Sequence, residues 1–283
     1  ALRPVEEMRR RAAVISGENL GERLPVAPAN DEIRRLGETL NQMIERIEDA
    51  LAHERAFVAD ASHELGTPLA ILKTELELAL RGDHSAADLR AAIASAGEET
   101  DRLTQLAEDL LVIARSDQKG LPVHREPLVV RDLLDDVVAR FASRTREDGR
   151  KVSAEAGTEV VVADRLRLQQ ALANLVENAL RHGEGPVRLW ARESDGLVEL
   201  HVTDAGPGPP EEFLPQAFER FSRADAARRR GGAGLGLPIV RAVARAHGGD
   251  AHLERLEGAG FDAWLSIPTP GPAGPRAHQT ETA

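Results

Sequence analysis

The chain has 283 residues, 36 basic against 47 acidic side chains for a formal net charge of −11, and no cysteine. That length allows about two domains at roughly 150 residues each, and the lack of cysteine excludes disulfides, cysteine-ligated zinc and a thiol nucleophile. The acidic balance argues against nucleic-acid binding, because no net field draws in a phosphate backbone.

No apolar run reaches the roughly 18 residues of a membrane span, and Ala1-Leu2-Arg3 does not open a signal peptide. The start without Met points to a longer parent chain. Residues 1–52 read as two helices around a connector. Pro4 suits a helix start, and Val5, Met8, Ala12 and Ile15 follow at helical spacing. Gly17 to Asn30, with Gly21, Pro25 and Pro28, breaks the pattern. Asp31 is positioned to cap a second helix whose apolar residues are Ile33, Leu36, Leu40, Met43 and Ile47. These alternate by threes and fours, a heptad seam that needs partner helices, and parallel packing with a second copy supplies them.

Residues 53–120 read as a helical hairpin. Val58, Leu65, Leu72 and Ala79 recur in heptads beside Ser62, Leu69 and Leu76, and the return helix sets Leu89, Ala96, Leu103 and Leu110 against Ile93, Thr100, Ala107 and Ala114. Arg81-Gly82-Asp83-His84 makes the turn, and Ser85 with Asp88 resembles a capping box. Two such helices leave a seam open, so a dimeric four-helix bundle is expected. Heptads extended from Ile33, Leu40 and Ile47 miss Val58 unless the repeat steps by four at Leu51. That stutter predicts one continuous helix with a phase break.

Residues 121–268 change to mixed α/β. Strand signals lie at 160–162, 187–190, 197–203, 251–256 and 261–267. In 197–203, Val198, Leu200 and Val202 alternate with Glu199, His201 and Thr203 as a half-buried strand should. Helices are expected over 164–182 and 235–247, giving a two-layer sandwich. The tail 269–283, with Pro270, Pro272 and Pro275, reads as disordered.

Four constellations carry chemistry. In Ser62-His63-Glu64-Leu65-Gly66-Thr67-Pro68, the seam uses Ser62 and Leu65, so His63 points outward. An exposed histidine is ordinarily a solvated surface residue. Here, though, Glu64 is placed to accept the Nδ1 proton and leave Nε2 nucleophilic, and Thr67 lies one turn on. Pro68 removes a donor and bends the helix, or is a mere kink. On the first of these expected helices, Gln170, Asn174, Asn178 and Arg181 form a polar stripe opposite Leu168, Leu172, Leu175 and Ala179. A stripe of this kind is by default a solvated face, yet paired amides above an arginine suit a hard cation and its phosphates. Asp204-Ala205-Gly206-Pro207-Gly208 ends a strand, where a carboxylate can accept from an exocyclic amine. Gly231-Gly232-Ala233-Gly234-Leu235-Gly236-Leu237 precedes a helix whose N-terminus can cradle phosphates. It is neither a Rossmann fingerprint nor a P-loop, and each glycine run alone reads as a turn.

In this order, with Phe218-Glu219-Arg220-Phe221 between the glycine boxes, the chain resembles the sensor histidine kinases of two-component systems. The resemblance implies a HAMP linker over 1–52, a dimerisation and phosphotransfer domain over 53–120, and an ATP-binding domain of the gyrase and MutL superfamily over 121–268. It implies that His63 is the phospho-accepting nucleophile, that Glu64 is its acid/base partner and that Thr67 positions water for dephosphorylation. Asn178 would coordinate Mg²⁺, with Asn174, Arg181 and His182 in the ATP site. Asp204 would bind the adenine amine in a pocket shaped by Gly206 and Gly208, and Gly232, Gly234, Leu235, Gly236 and Leu237 would belong to the lid hinge. The implied partners are a second copy and a response regulator receiver domain, and the implied setting is the cytoplasmic side of a membrane sensor whose spans precede Ala1. Superfamily ATPases carry a glutamate base where this chain has Asn174, which cannot take a proton, so transfer to histidine is favoured over attack by water. The phosphotransfer box has Gly66 in place of the family's usual arginine. That motivates a second reading, a regulator phosphatase or scaffold working through Thr67. Gly183 and Ala205 stand where a hydroxyl residue and Asn are common, and both changes are expected to matter little.

Overall fold

A computed structural model describes residues 3–14, 21–26, 32–81, 85–224, 233–256 and 260–269. The chain forms two compact units, Ala1–Lys73 and Thr74–Ala283.

The first unit contains α1 (Arg3–Val14) and most of α2 (Glu32–Leu80). Met8, Leu24 and Ile44 form a small buried core, with Ile33 and Leu40 packed against it. Asn41 fixes the connector: its Oδ1 accepts from Leu24 N–H at 2.8 Å and its Nδ2 donates to Leu24 C=O at 3.0 Å. Gly37 gives α1 room, since a Cβ there would lie 3.3 Å from Met8 Sδ. The heptad positions divide between two faces. Ile33 and Leu40 turn toward this core, whereas Leu36, Met43 and Ile47 stay exposed within the single chain.

Helix α2 runs unbroken for 49 residues, through the phase step at Leu51 and through Pro68. Pro68 cannot donate to the carbonyl of Glu64, yet it is buried and the helix continues to Leu80. Val58 and Leu69 on this helix are 58% and 52% exposed.

The second unit begins with the end of α2 and with α3 (Ala86–Lys119), capped as the sequence suggests. Ser85 Oγ accepts from Asp88 N–H at 3.2 Å, and Asp88 Oδ2 accepts from Ser85 N–H at 3.1 Å. Ser95 Oγ donates to Glu75 Oε1 at 3.0 Å, tying the two helices. Leu76, Leu89 and Ile93 remain exposed there. Turn residues 82–84 lie outside the described residues.

The α/β part has a two-stranded piece, β1 (Glu126–Val129) with β3 (Val160–Ala163), and a five-stranded sheet. The sheet order is β2 (Val152–Glu155), β4 (Val187–Ser194), β5 (Leu197–Asp204), β7 (Phe261–Pro268), β6 (Ala251–Arg255). Only β2–β4 is parallel. Helices α4 (Val130–Asp148), α5 (Arg165–His182) and α6 (Gly236–Ala246) cover one face. Val198, Leu200 and Val202 of β5 are buried core residues as the alternation predicts, but His201 on the other face is buried as well. Cross-strand pairing aligns Trp190, His201, Trp264 and His252 in one row on successive strands. Their rings stack, with Trp190 and His201 centroids 3.8 Å apart, and His201 is only 3% exposed. The expected helix over 164–182 begins one residue later, because Asp164 is its cap and accepts from Arg167 N–H at 3.1 Å. Strands β1 and β2 and helix α4 are elements the strand and helix signals above did not include. Thr269 is described, and the rest of the tail expected to be disordered lies outside the described residues.

Candidate functional site

Two sets of residues concern function, one in each unit. On α2, His63 is exposed and Glu64 half-buried. Neighbouring helix positions diverge by about 100°, and among the described residues no side-chain hydrogen bond reaches the His63 ring. Thr67 Oγ1 donates to His63 C=O at 3.4 Å, one turn along the same side of the helix. Gly66 faces open space, with no atom within 4 Å of a Cβ built there.

The second set is built where α5, the end of β5 and the start of α6 converge. Asn174 and Asn178 lie on α5 beside the first residue of α6: a Cβ on Gly236 would be 3.6 Å from Asn178 Nδ2 and 3.7 Å from Asn174 Cβ. Asn174 Nδ2 is buried without a hydrogen-bond partner, a donor whose desolvation a ligand oxygen would relieve. Helix α6 starts with no side-chain cap, so its first-turn N–H groups are available to an anion. Leu235, just before it, is 1% exposed and anchors that start, while Leu237 is half-buried.

The loop into α6 is held by backbone. Phe221 N–H donates to Gly234 C=O at 3.1 Å. Gly234 has φ +67°, and a Cβ there would lie 2.9 Å from Ser222 O, so only glycine fits. Phe221 itself has φ 57°, an uncommon conformation for a bulky residue. Gly231 and Gly232 lie outside the described residues.

Asp204 closes the other side. Its Oδ1 accepts from Gly206 N–H at 2.7 Å and from Glu184 N–H at 3.3 Å. Burial pushes its carboxyl above the usual range, partly countered by those two N–H groups and the Arg150 charge. Gly183 was expected to be of little consequence, and the structure corrects that. A Cβ there would lie 2.2 Å from Asp204 Oδ1, so the carboxylate occupies the space a side chain would need. Gly208 meets Phe261 in the same way, and Arg255 donates to Pro207 C=O and, at 2.9 Å, to Pro209 C=O, pinning the loop to β6. Arg181 and His182 occupy the last turn of α5, half-buried. At the other end of the polar stripe, Gln170 Nε2 donates to Asp109 Oδ1 on α3 at 3.3 Å.

These groups suit a nucleotide with its metal. A half-buried carboxylate offers an acceptor to a base amine, and the unpartnered amide and open helix N-terminus offer donors to phosphate. Among the described residues no cluster of three His or acidic ligands exists. A cation held partly by phosphate oxygens, as Mg²⁺ commonly is, could take the Asn178 side chain as a further ligand. Two residues that matter were absent from the motif reading. Arg150 shows only as one arginine among many, and Asp109 only as a polar position on an amphipathic helix.

Comparison with known proteins agrees with this geometry. The model of the HAMP domain matches residues 1–49, that of the His Kinase A (phospho-acceptor) domain 53–119, and that of the Histidine kinase-, DNA gyrase B-, and HSP90-like ATPase 163–271. The Sensor protein CutS of Streptomyces coelicolor is 32% identical over 272 residues, 94% of this chain and 65% of that protein. The Probable sensor histidine kinase HK of Mycobacterium tuberculosis is 40% identical over 195 residues, 69% of this chain and 51% of its own. The chain thus spans between half and two thirds of these relatives. Full-length ShkA, solved in complex with AMPPNP, superposes with a TM-score of 0.57 at 26% identity, covering 76% of this chain and 45% of that one. With these three family models in this order along the chain, the protein belongs to the sensor histidine kinases of two-component systems.

Proposed function

We propose that the protein is a dimeric, Mg²⁺- and ATP-dependent histidine kinase that phosphorylates itself on His63 and passes the phosphoryl group to an aspartate of a response regulator. The observation that carries this reading is the pairing in one chain of a solvent-open His63 with the site formed by Asn174, Asn178, Asp204 and the start of α6. The lone pair of His63 Nε2 attacks the γ-phosphorus, a P–N bond forms, and the bond to the β-phosphate oxygen breaks as ADP leaves with the electron pair. Bound Mg²⁺ supplies charge neutralisation on the phosphates. The protein contributes position and electrostatics, as phosphoryl transfer requires. Asp204 selects adenine, and Asn174 orients phosphate without acting as a base for water. The AMPPNP complex of ShkA supports a nucleotide as the ligand.

Dimerisation is supported by exposed apolar side chains in each unit, Val58 and Leu69 in the first and Leu76 and Ile93 in the second. Placement on the cytoplasmic side of a membrane is proposed from the HAMP match. No helix among the described residues is long and apolar enough to cross a membrane. Thr67, one turn from His63, is proposed to position water when the phosphorylated regulator is hydrolysed.

The test is incubation with γ-labelled ATP and Mg²⁺, comparing wild type with His63→Gln. Acid-labile, base-stable label that vanishes in the variant is the expected result. An unlabelled wild type that still binds ATP would overturn the kinase reading in favour of a phosphatase working through Thr67.

A further inference from the structure

Arg150 lies just beyond the C-terminus of α4, after Gly149, in a region without recognisable motif residues. Its guanidinium nevertheless reaches the far end of α5. Nη1 donates to the carbonyls of Ala179 at 3.1 Å, Leu180 at 2.8 Å and Gly183 at 3.2 Å, and Nε donates to Gly185 C=O at 2.7 Å. The last carbonyls of a helix have no intrahelical partner, and a cation there also meets the negative end of the helix dipole. Ala179 C=O already accepts from Gly183 N–H at 3.0 Å, so Arg150 adds to that bond, takes up the Leu180 carbonyl and continues into the turn beyond, which a compact ammonium could not span.

That turn is the support of Asp204. Glu184 N–H donates to Asp204 Oδ1 at 3.3 Å, and Glu184 C=O accepts from Ala205 N–H at 2.9 Å. Gly183 Cα lies directly against the carboxylate. The segment 183–185 is therefore held by two sets of hydrogen bonds, from Arg150 to its carbonyls and from residues 204–205 through Glu184. Lys151, the next residue, accepts from Val187 N–H at 2.8 Å, so Arg150 is itself anchored to the sheet edge at the start of β2 and β4.

The geometry points to Arg150 as a positioning residue for base recognition: it holds the turn that presents the Asp204 carboxylate, and so sets the preference for a 6-amino purine. This rests on the reading of Asp204 as the adenine acceptor. On this reading Arg150 acts on base recognition through Asp204 and not by a contact of its own. Its positive charge also favours the ionised carboxylate, which burial disfavours.

The experiment is calorimetric titration of the full chain with ATP and with inosine triphosphate, which carries an oxygen in place of the amine. Wild type, Arg150→Met, Arg150→Lys, Asp204→Asn and the Arg150→Met/Asp204→Asn double variant are compared. Expected is a loss of about tenfold in ATP affinity for Arg150→Met, with inosine triphosphate affinity within about twofold of wild type. The double variant should be no worse than Asp204→Asn, because the two residues act in series. Arg150→Lys, which keeps the charge but not the four-carbonyl grip, should fall between. Unchanged ATP preference in both Arg150 variants, or equal losses for the two nucleotides, would reduce Arg150 to a helix cap and overturn the inference. A wild type that binds both nucleotides alike would instead refute the adenine reading itself, and the role of Arg150 with it.

Discussion

Gly183 and Asp204 are packed so closely that the carboxylate fills the position of a missing side chain, with Oδ1 2.2 Å from where a Cβ would stand. Adding even one methyl forces Asp204 to leave the N–H groups of Glu184 and Gly206. Gly183→Ala should therefore weaken ATP binding by about tenfold, the scale of one charge-assisted hydrogen bond, while the melting temperature changes little. Titration with ATP beside a thermal melt separates the two effects, and unchanged affinity would mean that the turn relaxes without cost.

The elevated Asp204 carboxyl predicts the pH dependence of nucleotide binding. Burial raises its pKa and the ionised form is the better acceptor, so ATP affinity should fall as pH drops through a point above the ordinary carboxylate range. Asp204→Asn should bind more weakly at neutral pH and lose that step. A flat wild-type profile between pH 4 and 7 would contradict the assignment.

Asp109 on α3 is a second strained carboxyl, raised from 3.8 to about 6 chiefly by burial, with the Gln105 and Gln170 amides countering it and the nearby Glu177 and Glu108 charges adding to it. A carboxyl raised on folding stabilises fully below its unfolded value and loses that contribution as pH rises through the folded one. The loss should thus develop between about pH 4 and pH 6 and persist above. Asp109→Asn keeps an oxygen for both glutamine amides and removes the charge. It should raise stability by on the order of 2 kcal/mol at pH 8 and hardly at all at pH 4. Denaturant melts at the two pH values measure the difference.

Gly66 lies mid-helix, and nothing crowds a side chain there. Gly66→Ala and Gly66→Arg should both stabilise α2 by about 0.5–1 kcal/mol through helix propensity. Only the arginine places a cation near His63. A rise in labelling rate with Arg but not Ala would assign the effect to charge, whereas equal rates would assign it to helix order.

The exposed apolar side chains of the hairpin give a prediction for assembly. Ile93 is 69% exposed, so Ile93→Asp costs the single chain little but sets two charges against each other in a symmetric bundle. Sedimentation should show a monomer where the wild type is a dimer.

Much of this was legible in the sequence because it is periodic. The heptads of α2 and α3, the Ser85–Asp88 cap and the alternation in β5 each follow from side chains repeating with their element. β1 and β2 are four residues long, too short for a period to show, and β1 contains Pro127. Helix α4 did carry a signal, since Val130, Leu133, Leu134, Val137 and Phe141 are all buried at helical spacing. The site residues divide similarly. Asn174, Asn178, Asp204 and the glycines stand in compact motifs, but Arg150 is 29 residues from the first carbonyl it holds. Gly183 gives no such signal because what matters there is its distance to Asp204, which lies 20 residues beyond its neighbour Glu184.

Both tryptophans of the chain, Trp190 and Trp264, stand in the stacked row with His201, and there is no tyrosine. Ultraviolet emission therefore originates wholly in the sheet of the nucleotide-binding region, while far-ultraviolet dichroism is dominated by α2 and α3. Recorded together during heating, the two signals report the sheet and the long helices separately. A nucleotide that protects the sheet should delay the loss of emission more than the dichroic transition.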